Sequence, residues 1–190
     1  MYRKVEDFIH EWEHNSSGTL SIIEAISDEK KHQAIVEDHS TLEWLSWHLT
    51  TAPVFFLGQT GLSLNMDLNP KNIPTTIEEI KSTYQTMKEN VRKVVEESFN
   101  DETLVNKVNM LGNETPIGAV LRMMVDHQTH HRAQMQVLLR QAGLPVPGVM
   151  GPTKEASRKK IKGILRCLKN AFCIVKLLQL VVLLVGLQHY

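Results

Sequence analysis

Val125-Asp126-His127-Gln128-Thr129-His130-His131-Arg132-Ala133-Gln134 holds three histidines within five residues. It lies inside a segment whose apolar spacing predicts one long helix. Each helical residue turns its side chain by about 100°, so His127 and His131 are neighbours on one face, roughly 40° apart and one turn along. That i, i+4 spacing lets two imidazoles reach one metal ion. Val120, Met123, Met124, Gln134 and Leu138 share the face, so the pair is expected to point into a helical core. Thr129 and Arg132 are expected to face solvent, with His130 at the edge of the stripe. Thr115 reads as the N-cap of this helix, Pro116 as its first residue and Gly143 as its stop.

Three further helices are read outward from there. Residues 2–29 keep helical spacing through Val5, Phe8, Ile9 and Trp12 and again through Leu20, Ile23 and Ile26, with a break expected near Asn15-Ser16-Ser17-Gly18. The polar stretch Ser27–Asp38 is a loop or a short helix. The next helix starts at Ser40 or Thr41, Glu43 completing a capping box with Ser40, and runs to about Gly58. Its apolar stripe, Leu45, Leu49, Ala52 and Phe55 or Phe56, includes His48, and Pro53 is expected to kink or end it. Another helix spans Thr75-Thr76 to Phe99-Asn100, with Ile77, Ile80, Tyr84, Met87, Val91, Val94 and Val95 as its buried face. Residues 59–74 and 100–114 are connections, expected to supply the substrate pocket, with a short hairpin allowed around Leu104–Asn109. Four amphipathic helices without convincing strands give an all-α fold, an antiparallel four-helix bundle.

Two imidazoles from one helix leave a divalent ion short of ligands. His48, on the core-facing stripe of another helix, is the natural third, since bundle metal sites draw on facing helices. Taken singly, His48 is an ordinary core histidine and the His127/His131 pair an ordinary solvated face. Together they make a metal site of His48, His127 and His131. Three neutral histidines with open positions suit catalysis better than a closed structural site, and zinc, nickel, iron or manganese all fit the reading. Gln134, one turn beyond His131, is either a partner to a ligand or substrate, or a polar residue near the bundle end. His10, His14, His32, His39 and His189 have polar neighbours and are expected at the surface.

The charge is uneven. Of 21 Lys/Arg and 21 Asp/Glu, eight basic residues and only Glu155 follow Thr153, so residues 1–153 carry 13 basic against 20 acidic residues, net −7. An acidic body argues against broad binding to a nucleic-acid backbone. Met1–Asp7 has no apolar h-region, so no signal peptide is read and a cytoplasmic location is expected. The two cysteines, Cys167 and Cys173, lie in the basic tail, so the body, residues 1–153, has no disulfide or thiolate metal site. The tail, residues 154–190, is basic and then apolar over 171–187, short of the ~20 residues of a membrane span. It reads as an interfacial anchor, a segment packed on the bundle or a partner, or out-of-frame translation; membrane contact is expected only through 171–187.

Thr41-Leu42-Glu43-Trp44-Leu45-Ser46-Trp47-His48-Leu49 resembles the second-helix motif of the DinB/YfiT-like metalloenzymes. Asp126 through Gln134 resembles their fourth-helix motif, which usually ends His-His-Arg-Gly-Gln, with Ala133 in place of the glycine. Pro145-Val146-Pro147-Gly148-Val149-Met150-Gly151-Pro152-Thr153 is similar to the closing segment of DinB members from Bacillus-type bacteria. The resemblance covers about residues 1–155. It implies a four-helix bundle, often homodimeric, with a divalent metal on His48, His127 and His131. It also implies a choice of activities: transfer of a low-molecular-weight thiol such as bacillithiol to electrophiles through a thiolate, metal-dependent hydrolysis, or a non-enzymatic metal-binding role in a stress or DNA-damage response. No glutamate stands in a His-Glu-x-x-His arrangement, which favours the thiol.

Overall fold

All four predicted helices form. In the computed structural model, which describes residues 1–155 and 161–165, they are α1 (Val5–Glu24), α2 (Leu42–Gln59), α3 (Ile77–Ser98) and α4 (Ile117–Gln141). α1 and α2 each pack against both α3 and α4. Phe8, Trp12, Ile22, Leu45, Leu49, Ile80, Met87, Val91, Leu121 and Leu139 fill the space between them, essentially shielded from water. Burial of an apolar side chain of this kind stabilises by about 1.5–3 kcal/mol, so the bundle rests on these stripes rather than on helix propensity.

α1 does not break at Asn15-Ser16-Ser17-Gly18. Ser16 donates to the Trp12 carbonyl (2.6 Å) and Thr19 to that of Asn15 (3.3 Å), so the polar side chains are satisfied within the helix. Thr41 caps α2, accepting from the Trp44 amide at 3.2 Å. The capping box expected between Ser40 and Glu43 does not form. Glu43 pairs instead with Lys31 (3.6 Å) and with His32 Nδ1 (2.7 Å), tying the preceding loop to the helix. That loop contains a single 3-10 turn, Asp28–Lys30.

Pro53 neither ends nor unseats α2. It removes the N–H that the Leu49 carbonyl needs, and Gln128 Nε2 of α4 supplies the missing donor at 3.0 Å. The Tyr84 hydroxyl of α3 donates to Gln128 Oε1 at 2.9 Å. One buried carboxamide thus joins α2, α3 and α4 immediately beside His48 and His127.

The hairpin exists a few residues later than expected: β1 (Lys107–Met110) pairs antiparallel with β2 (Asn113–Pro116). Its two-residue turn, Leu111-Gly112, has positive φ at both positions (52° and 86°), the mirror-image turn that matches strand twist. Pro116 occupies the N-cap of α4, one residue before the position expected for it, and Thr115 bonds within the hairpin instead of capping. Gly143 closes α4 at φ 74°, with the Leu144 amide returning to the Leu139 carbonyl at 2.9 Å.

The chain divides into two compact units, Met1–Val149 and Met150–Tyr190, and the bundle is the first. Cys167, Cys173, the apolar run 171–187 and His189 lie outside the described residues. Among the described residues, no helix is long and apolar enough to cross a membrane.

Candidate metal centre

Of the predicted stripe on α4, Val120, Met124 and Leu138 are buried, while Met123 and Gln134 are exposed. The buried face is wider and extends round the helix through Leu121, Val125, Gln128, Arg132, Met135 and Leu139. Arg132, expected in solvent, is 2% exposed. Its guanidinium donates to the Asn15 carbonyl (2.7 Å), Asn15 Oδ1 (3.0 Å) and Thr19 Oγ1 (3.4 Å) of α1, and Thr129 donates to Asn15 Oδ1 at 3.1 Å. The stretch of α1 that resembled a break is therefore the acceptor for α4's polar residues. This wider face leaves His127 and His131 on the flank of the core, half-buried, where a site can stay open to a ligand.

α2 and α4 bring the three predicted histidines together. The His48 and His127 Nε2 atoms are 3.1 Å apart. Ring centroids stand 4.8 Å apart for His48–His127, 4.7 Å for His48–His131 and 4.5 Å for His127–His131. One ligand nitrogen from each lies within 4.8 Å of the others, and among the described residues no acid or cysteine joins the group. His130 faces outward and touches His131 at a centroid distance of 4.8 Å, outside the group. His10, His14, His32 and His39 are exposed.

The donor set fits a metal ion. A tetrahedral ion with Zn–N of about 2.0–2.1 Å spaces its nitrogens roughly 3.3 Å apart, close to the His48–His127 separation. Burial, and then the charge of its neighbours His131, His48 and His130, push the His127 pKa down to about 4. Burial also lowers His48 and His131, with His131 acting against His48. All three rings are held neutral, the state with a lone pair to give. Gln134 Oε1 lies 2.9 Å from His131 Nδ1, so the ring donates there and keeps Nε2 for the cluster. His127 Nδ1 is buried with no hydrogen-bond partner, beside the Phe56 ring at 5.4 Å. Trp44 stacks on His48 at 4.9 Å.

Sequence reasoning missed Trp44, Phe56 and Gln128. The signal for Gln128 was Pro53, which announces a carbonyl in need of a donor. A cavity of about 160 Å³ opens beside Gln134, walled by Ile35, Leu45, Val137 and Leu138. The connections 59–74 and 100–114, expected to line a substrate pocket, do not line this cavity; Ile73 joins His39, Ser40 and Trp44 in an adjoining hollow, and Ser63, Leu64 and Asn65 line a separate one against α3.

Known proteins resemble this chain in sequence and fold. The family model described as DinB family matches residues 1–163. The uncharacterized protein YrdA of Bacillus subtilis is 32% identical over 155 residues, covering 82% of this chain and 93% of its own. The crystal structure of a DinB-like protein from Bacillus cereus superposes with a TM-score of 0.75 at 32% identity, over 78% of this chain and 99% of that one. The DinB-like protein YjoA of Bacillus subtilis gives a TM-score of 0.61 at 20% identity, over 77% and 99%, a likeness of fold. With a bundle of this shape, a three-histidine group across α2 and α4, and a family match spanning most of its length, the chain belongs to the DinB family.

Proposed function

We propose that the chain is a divalent-metal-dependent transferase that joins a low-molecular-weight thiol of the bacillithiol type to an electrophile. The carrying observation is the three neutral imidazoles, converging at a half-buried flank with no acidic residue in their group. His48, His127 and His131 would hold a divalent ion, which would supply a Lewis acid able to keep a thiol ionised at neutral pH. A thiol, with a pKa near 8.5, needs no protein base for this, in keeping with the absence of a carboxylate. Burial and mutual repulsion keep the rings unprotonated, Gln134 orients His131, and Trp44 and Phe56 cover two rings against water. In the reaction the thiol proton goes to solvent, the S–C bond forms, and the leaving group departs with its electron pair. The reading also places the protein in the cytoplasm as a homodimer acting on small molecules.

The test is metal content by mass spectrometry on untagged protein, followed by a conjugation assay with bacillithiol and a chlorobimane. About one ion per chain, lost in His48→Ala and His131→Ala, with metal-dependent conjugation, is the expected result. A loaded protein that conjugates nothing sinks the transferase.

A further inference from the structure

The cavity next to Gln134 is unlike the other hollows on the bundle. Its floor is core: Leu45 and Leu138 are 1% and 4% exposed. Its rim is apolar and open: Ile35 and Val137 are 55% and 47% exposed. Exposed apolar groups gathered at a concavity mark a place where something binds. The polar residues of the lining are His39, Ser40 and Gln134. Gln134 is also the residue that holds His131, so the apolar chamber and the histidine cluster share one wall. Along α2 and α4 the two are a single turn apart, Leu45 before His48 and Leu138 after Gln134.

Size decides the occupant. A dry cavity of about 150 Å³ lined by aliphatic side chains holds one benzene ring, and this one measures about 160 Å³. A fused polycycle overfills it, and its walls carry no carboxylate, lysine or arginine, His39 being the one titratable group on the lining. We infer that the chamber formed by Ile35, Leu45, Val137 and Leu138 binds a single aromatic ring of the acceptor substrate, its reactive carbon directed past Gln134 towards the histidines. Naming that ring part of the acceptor rests on the transferase reading; the binding of a ring does not.

Benzyl alcohol is the probe for the site, titrated into the full chain with methyl-labelled Ile, Leu and Val followed by NMR. Saturable shifts are expected at Ile35, Leu45, Val137 and Leu138, with Leu111 at the hairpin tip unmoved. Val137→Phe, at an exposed position the fold tolerates, should fill the chamber and weaken binding by about tenfold or more. The inference is overturned if no shift saturates, if Leu111 moves alike, or if Val137→Phe binds as the parent does. It is equally overturned if sedimentation shows Val137→Phe altering self-association instead, the chamber then being covered by a second copy. The second arm compares conjugation of benzyl chloride and chloroacetamide. Val137→Phe should raise KM for the benzyl compound about tenfold relative to the amide. Ring binding without conjugation of either electrophile refutes the transferase and leaves the ring site. Conjugation without ring binding refutes the ring site and leaves the transferase.

Discussion

His127 carries the clearest electrostatic signature in the bundle, and it has a consequence for the metal-free protein. Its folded pKa is depressed to about 4 by burial and by the neighbouring histidines, against about 6.5 in an unfolded chain. Between those values the unfolded state binds a proton that the folded state refuses, so stability rises with pH there. The contribution is fully present above pH 6.5 and is lost as pH falls from 6.5 towards 4. In urea unfolding of metal-free protein at pH 7.5 and 5.0, the midpoint should drop further for the parent than for His127→Gln. Equal drops would show the ring to be solvated. A second prediction concerns Gln134. Gln134→Ala removes the acceptor at His131 Nδ1 and should weaken metal binding about 10–100-fold, while Gln134→Glu, which keeps an acceptor, should hold metal at least as tightly. Competition with a chelating dye reads both without any assay of activity.

Between elements, Gln128 sets the register of α2, α3 and α4. Replacing it with leucine orphans the buried Leu49 carbonyl and takes from the buried Tyr84 hydroxyl its Gln128 acceptor, leaving it the Thr19 hydroxyl. The orphaned carbonyl and the lost hydroxyl bond together cost about 2–3 kcal/mol. Pro53→Ala returns an N–H to the Leu49 carbonyl, so Gln128→Leu should cost about 1 kcal/mol less in that background than alone. Additive effects in a denaturation double-mutant cycle would mean that the proline and the glutamine are unrelated. The sequence made the helices legible because Phe8, Trp12, Leu45, Ile80 and Val91 repeat at helical spacing, and it made His48, His127 and His131 legible because i, i+4 spacing and a stripe survive without coordinates. It misplaced Arg132 because the phase of the helix was set on the histidine pair, whereas Asn15 and Thr19 draw this guanidinium inward from across the bundle. The same phase hid Gln128 and overstated the burial of the histidines. The cavity was illegible for a different reason: Ile35 and Val137 are 102 positions apart, and only the closing of the loop before α2 over α4 brings them together.

At the scale of the whole molecule, an ion on the histidine group would cross-link two helices. His48 and His127 are 79 residues apart and belong to different helices, so the unfolded chain cannot present all three nitrogens at once. An ion that binds only the folded form stabilises it by RT ln(1 + [L]/Kd), about 2.7 kcal/mol at one hundred times Kd. For a chain of this size each kcal/mol moves the midpoint by about 2–4 °C, so metal should raise Tm by about 5–10 °C. Scanning calorimetry of chelator-treated protein, with and without added zinc or nickel, measures this directly. His48→Ala leaves only the pair within α4, a contact local to one helix, and should abolish most of the rise while leaving the metal-free Tm within a few degrees of the parent. If His48→Ala keeps the full rise, the ion sits on α4 alone. α2 then has no part in the site, and the cavity between the two helices loses its connection to any chemistry.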